Sequence, residues 1–240
     1  MILMHISKED FAFSEGIKTL RTNLQFSGSK VKNILITSVA GNDGKSHVSF
    51  ALAKAFAESG KKTLYLDMDI RNSNFLERFG VSEEIKGLSQ ILSGQILPEE
   101  GIYATNIDNL FVVWAGPWSP SPTELFEDDM CRKLFMYIAE QEFDRVILDT
   151  SPLGAVIDAA ILSRYADGIA LMAASGETNR KALRRVKEQI DRTGTRFLGV
   201  ILNKVPIDKK RYEYGYGYGG YGYGKKNMTL RVSQKNNGEQ

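Results

Sequence analysis

Apolar residues along this chain fall into short dense runs, with longer stretches of helical spacing between them. The runs are Ile34 to Ile36, Leu64 to Leu66, Leu110 to Trp114, Val146 to Leu148, Gly168 to Ala173 and Phe197 to Leu202. Uninterrupted apolar runs of this length predict strands, and those at Ile34, Leu64 and Val146 fit strands buried in a parallel sheet. Between them, Ile17, Leu20 and Leu24 line one side of a helix from Ser14 to Phe26. Val48, Leu52 and Ala55 do the same from Lys45 to about Ser59, where Gly60 suits a left-handed cap. A helix starting near Thr123 turns Leu125, Leu134 and Ile138 inward, and two more run from Ala155 to Tyr165 and from Arg180 to Thr193. From Arg71 to Leu97 the pattern is helix and loop, with turns at Gly80, Gly87 and Gly94. Residues 115 to 122 carry Pro117, Pro120 and Pro122, and they predict a rigid loop. Strands alternating with helices predict an α/β fold: a mostly parallel sheet with helices on both faces.

Composition changes this picture at the C-terminal end. Tyr212, Tyr214, Tyr216, Tyr218, Tyr221 and Tyr223 alternate with glycines, and six of the ten tyrosines lie in this stretch. Such a sequence predicts a flexible tail, 207–240, following a folded domain of residues 1–206. A low-complexity linker accounts for the glycines but not for the tyrosines. The net charge of +2 divides unevenly: residues 207–240 hold seven Lys/Arg against three Asp/Glu, a local +4, leaving −2 for the rest. No basic excess points to nucleic acid. The single cysteine, Cys131, makes no disulfide within the chain and reads as a packed core residue. No apolar run approaches bilayer length, and the N-terminus lacks the apolar core of a signal peptide, so a cytoplasmic location is expected.

The candidate chemistry begins after the first apolar run. Gly41-Asn42-Asp43-Gly44-Lys45-Ser46-His47 is a small, polar loop leading into a helix, the arrangement that cradles phosphates on backbone amides. There Lys45 reaches the β/γ-phosphates and Ser46 offers its hydroxyl to Mg²⁺. Val39 stands where the strict motif has its first glycine, so the loop alone is also compatible with a turn ending a core strand. Two other runs end in acid: Asp67-Met68-Asp69-Ile70-Arg71 and Asp149-Thr150-Ser151. Ligands of parallel sheets bind beyond the carboxyl ends of the strands, so three such ends are expected to converge on one site. Glu15, Lys18 and Arg21 recur at every third residue; as residues alone they read as a solvated stripe with an i,i+3 ion pair.

Together these stretches resemble the bacterial tyrosine kinases (BY-kinases) of capsule and exopolysaccharide synthesis. The marks are the Thr37-to-Ser46 loop, Asp67-x-Asp69-x-Arg71, Leu148-Asp149-Thr150, and the Gly116…Pro120-x-Pro122-x-Glu124-Leu125 segment. Glu15-x-x-Lys18-x-x-Arg21 and the terminal tyrosines complete them. The resemblance implies a P-loop NTPase fold of the partitioning and division ATPase group, acting with ATP and Mg²⁺. It implies Lys45 on the phosphates, Ser46, Asp69 and Asp149 as metal residues, Asp67 as the base that takes the tyrosine proton, and Asn203 on adenine. Asn203 with Lys204 is equally an ordinary loop start. The tail tyrosines become the phosphoacceptors, labelled in trans within a ring-like homo-oligomer joined through Glu15, Lys18 and Arg21. Implied partners are a membrane polysaccharide co-polymerase that activates the enzyme and recruits it to the inner face of the membrane, protein substrates, and a tyrosine phosphatase. His47, Gly41 and Asp43 depart from the family's threonine, proline and glutamate, and Lys18 from its arginine.

A partitioning or division ATPase shares the fold without phosphorylating protein. Its signature lysine would stand at Ala40, and its second glycine at Asn42. A nucleotide-dependent interaction module with an adhesive tail is the remaining alternative, and the Asp67, Asp69 and Asp149 set argues for retained chemistry.

Overall fold

The computed structural model describes residues 2–4, 10–28, 30–72 and 85–206. Gly80 and the six clustered tyrosines lie outside the described residues. Among the described residues seven strands form one sheet: β1 (Asn33–Ser38), β2 (Thr63–Asp67), β3 (Tyr103–Ala104), β4 (Leu110–Val113), β5 (Arg145–Asp149), β6 (Gly168–Ala174) and β7 (Phe197–Asn203). Their order is β3-β4-β2-β5-β1-β6-β7. Every pairing is parallel except β3 with β4. The helices are α1 (Phe11–Phe26), α2 (Lys45–Glu58), α3 (Leu88–Leu92), α4 (Pro98–Gly101), α5 (Pro122–Glu127), α6 (Asp129–Glu140), α7 (Asp158–Leu162) and α8 (Arg180–Arg192). Among the described residues, no helix is long and apolar enough to cross a membrane.

Strand alternation divides the core in two. Ile34, Ile36, Tyr65, Val112 and Ile147 face α1 and α2, packing on Ile17, Leu24, Leu52 and Phe56. Leu35, Leu64, Leu66 and Leu148 face the opposite side, with Leu88, Phe126, Leu134, Leu162 and Val186. This is the expected mostly parallel sheet with helices on both faces, except that the edge strand β7 is not buried: Val200 and Leu202 are exposed. The glycine stops behave as expected too: Gly60 and Gly194 have φ of 81° and 73°, and Gly60 N–H bonds back to Ala57 O at 2.9 Å.

Four expectations are corrected. The helix predicted from near Thr123 is two helices, because Asp128 is extended and its carboxylate accepts from Met130 N–H, capping α6. The inward residue of α5 is therefore Phe126, while Leu125 is only half-buried. The rigid loop stops at Ser121, since Pro122 takes the first helical position, where a missing N–H costs no hydrogen bond. The helix predicted from Ala155 begins at Asp158 and ends in a 3₁₀ turn, Ser163–Tyr165. Before it the chain is held in turns, with the N–H groups of Ala155 and Val156 both donating to Pro152 O. There Gly154 approaches β1's loop so closely that a Cβ would sit 2.0 Å from Val39 O. Helix α1 starts at Phe11 rather than Ser14.

Candidate active site

Register brings the acidic strand ends together. Asp149 stands opposite Ile36 on one side and Asp67 on the other, so β5 and β2 finish at one level while β1 runs two residues further, to Ser38. Residues two apart on a strand share a face, so Tyr65 and Asp67 both point toward α2, beside Asp149. From α2, Lys45 and Ser49 lie one turn apart and face them. The Lys45 ammonium donates to Asp149 Oδ1 at 2.6 Å and lies 4.0 Å from Asp69 Oδ2. Asp149 Oδ2 accepts from the Tyr65 hydroxyl at 2.9 Å. Ser49 Oγ is 3.3 Å from Asp149 Oδ1, but its proton has a nearer acceptor in Lys45 O at 2.8 Å. Asp69 Oδ1 accepts from Ser151 Oγ at 2.6 Å, and Asp67 Oδ1 accepts from Asp69 N–H at 3.2 Å. Burial pulls the Lys45 pKa down, but Asp149, then Asp69 and Asp67, outweigh it and hold the ammonium above the ordinary lysine value. Burial first, and then the Asp149 charge, push the Tyr65 phenol well above its usual range, so it is a neutral donor.

The loop between β1 and α2 takes two left-handed residues, Asn42 (φ 64°) and Gly44 (φ 87°). At Gly44 a Cβ would meet Asn203 Nδ2 at 2.2 Å, so glycine is required there for space as well as for φ. Asn203, at the end of β7, donates that Nδ2 to Asp43 O at 2.9 Å and so braces the loop from behind. The Asp43 carboxylate accepts from Ala40 N–H at 3.0 Å, closing the loop on itself. The first turn of α2 carries no acidic residue, leaving its amides and positive dipole end for an anion. In front lies a cleft of about 480 Å³, lined by loop residues through His47, by Asp67, Asp69 and Arg71, and by Ser151, Pro152, Ala155 and Val156.

Expectation and geometry agree unevenly. Lys45, Ser46, Asp67 and Asp69 line the cleft together with Gly41, Asn42, Gly44 and His47. Asp149 lies behind Lys45, fully buried, and Asp43 and Asn203 support the loop without lining the cleft. The His47 ring meets Phe13 of α1 edge-on, at 4.5 Å between centroids. Arg71 lines the cleft, but its guanidinium is held by neighbours. Its guanidinium binds the buried Asp158 at 2.7 and 3.0 Å and Thr123 Oγ1 at 2.9 Å, tying β2's end to α5 and α7. The Glu15, Lys18 and Arg21 stripe divides as well. Lys18 and Glu15 form an exposed 2.7 Å ion pair, while Arg21 Nη1 turns inward to Ala55 O at 3.0 Å. Tyr65 and Ser49 went unrecognised as site residues. Their signals were spacing alone, two residues before Asp67 and four after Lys45.

Residues 34–216 match the family model of the CobQ/CobB/MinD/ParA nucleotide binding domain. The chain is 44% identical over 202 residues to the tyrosine-protein kinase CpsD of Streptococcus pneumoniae serotype 4, covering 82% of this chain and 87% of that one. The chain belongs to the bacterial tyrosine kinases. The tyrosine-protein kinase YwqD of Bacillus subtilis is 36% identical over 198 residues, covering 82% of this kinase and 83% of its relative. Among solved structures, the kinase domain of the Escherichia coli tyrosine kinase ETK superposes with a TM-score of 0.75 at 31% identity, over 85% of this kinase and 80% of that chain. Membership of this nucleotide-binding kinase family implies the use of ATP. The donor set also suits Mg²⁺: a hydroxyl and carboxylates are hard oxygen ligands. Among the described residues no group of three or more His, Cys, Asp or Glu side chains is arranged to hold a metal ion by itself.

Proposed function

We propose that the kinase binds MgATP in this cleft and transfers the γ-phosphoryl group to tyrosines of the 207–240 tail of a neighbouring subunit, in the control of capsule or exopolysaccharide synthesis. The observation that carries the reading is the meeting of Lys45, Asp67 and Asp69 at one cleft, with Asp149 behind them, in a chain related to named tyrosine kinases. In this reading the loop amides and Lys45 hold the phosphates, with Asn203 near the adenine. Ser46, Asp69 and Asp149 hold Mg²⁺ directly or through water, and the ion neutralises charge on the phosphates. Asp67 receives the phenol proton, which is otherwise retained up to a pKa of about 10. The chain then divides into a folded kinase, 1–206, and a substrate tail. A membrane polysaccharide co-polymerase supplies activation and brings the kinase to the inner face of the membrane, and a tyrosine phosphatase resets it.

Purified protein incubated with labelled ATP and Mg²⁺, followed by mass spectrometric mapping, tests this directly. Phosphotyrosine is expected at several of Tyr212 to Tyr223. Lys45→Met should abolish both nucleotide binding and labelling. Asp67→Asn should retain nucleotide and lose transfer, by about 10²-fold or more. ATP hydrolysis with no phosphotyrosine would return the chain to the partitioning-ATPase reading, and equal loss of ATP binding in the two variants would remove the base role of Asp67. A cytoplasmic peptide of the membrane activator should raise the rate; a high basal rate indifferent to it would count against that partner.

A further inference from the structure

Among the described residues, Tyr65 is the one tyrosine whose hydroxyl bonds to this carboxylate cluster. Its residue is fully buried, on the α2 face of β2, and its ring meets Phe50 edge-on at 5.4 Å and 83°. A side chain with two rotatable bonds, closed in by α2 and by a neighbouring strand on either side, has little freedom to swing. The hydroxyl therefore presents its proton to Asp149 Oδ2 from a fixed wall. The other oxygen of the same carboxylate faces Lys45, at the end of a long flexible side chain. One end of the carboxylate is held by a rigid neutral donor, and the other is turned toward the Lys45 cation, which itself lines the cleft.

We propose that Tyr65 is a positioning residue: by holding Asp149 Oδ2 it fixes the carboxylate plane and keeps Oδ1 directed toward Lys45 and the metal side of the cleft. The inference rests on the reading of Asp149 as a metal residue. Partners that orient a metal-binding group commonly contribute about 10- to 100-fold in metal affinity or activity. The tyrosine thus acts on the metal requirement through Asp149 and touches neither ATP nor the acceptor.

The test is Tyr65→Phe, which removes only the hydroxyl and conserves the ring. Mn²⁺ binding to the full chain with saturating ADP, read from the free-ion electron paramagnetic resonance signal, is expected to weaken about tenfold. ADP affinity in EDTA should stay within about twofold. Transfer should fall at low Mg²⁺ and recover as Mg²⁺ is raised, a defect in half-saturation rather than in the limiting rate. Asp149→Asn separates the possible failures. If it weakens Mn²⁺ binding while Tyr65→Phe leaves it at the wild-type value, the positioning role is overturned and the metal reading stands. If Asp149→Asn also binds Mn²⁺ normally, the metal reading of Asp149 falls, and this inference with it. Should Tyr65→Phe lose metal-free ADP binding in the same proportion as Mn²⁺ binding, the hydroxyl serves packing and the proposal is likewise overturned.

Discussion

Cys131 shows how local surroundings set the chemistry of a single side chain. It is fully buried on α6, and burial pushes its thiol up to about 11. The thiolate is the reactive form, so at pH 8 ionisation alone slows a thiol reagent by roughly two hundredfold relative to an exposed cysteine of ordinary pKa. Ellman's reagent should therefore label the native chain far more slowly than the urea-unfolded one. Because the folded pKa is raised, the native rate should climb about tenfold per pH unit until that range is reached. Rapid native labelling at pH 8 would show that the α6 face opens. Lys45 illustrates the opposite balance, where neighbouring carboxylates outweigh burial. A raised lysine pKa means that its contribution to stability is full below the ordinary value of about 10.4 and is lost as pH rises through the higher one. No alkaline loss at pH 8 to 9 should trace to this pair.

At the scale of elements, the Arg71 bridge decides how the end of β2 is held. Removing one partner of a buried pair commonly costs about 3–5 kcal/mol; with the Arg71 side chain 34% exposed to water, and Thr123 still bonded to Asp158, about 2–3 is expected for Arg71→Ala. Urea unfolding measures it, and a change under 0.5 kcal/mol would show the bridge to be ornamental. The stripe on α1 makes a sharper contrast. Glu15→Ala and Lys18→Ala break an exposed pair and should shift monomer stability by less than about 0.5 kcal/mol, so any change in oligomer size they cause belongs to the surface itself. Arg21→Ala should also destabilise the monomer by about 1 kcal/mol, because it releases Ala55 O between α1 and α2. The sequence was most readable where burial is two-sided: the long apolar strands and α2 need no other signal. It was least readable where polar groups are buried and satisfied. Thr37 and Ser38 extend β1 past its apolar run, because Thr37 bonds Ser151 O and Leu153 N–H. The break at Asp128 came from one capping carboxylate, and β3 is two residues long, too short for any period. Tyr65 was counted as core, and it is core; only the register beside Asp149 makes it part of the site.

For the molecule as a whole, transfer between subunits is the prediction that binds the folded unit to its acceptors. A Lys45→Met subunit with an intact tail, mixed with an active subunit truncated after Pro206, should gain phosphotyrosine, and dilution should slow the reaction. Assembly raises the effective concentration of a neighbour's tail without new contacts. A tail left unmodified, while full-length protein labels itself at a concentration-independent rate, would place the reaction within one chain. Each phosphate brings roughly −1.5 to −2 charges, enough for a few to reverse the tail's +4, so sizing before and after labelling should show a looser assembly. The strand order carries a consequence of another kind. β1 lies between β5 and β6, with Asn33 opposite Val146 and Ile34 opposite Gly168. A ribosome that has just released Lys45 has therefore made the phosphate loop but neither neighbour of the strand that holds it. Nucleotide cannot serve as an early template for such a chain, since the site closes only after more than a hundred further residues have been translated. Pairings this distant fold slowly and leave strand edges open in the meantime. The kinase should thus become competent late and in one step, and its nascent form is the one most in need of a chaperone.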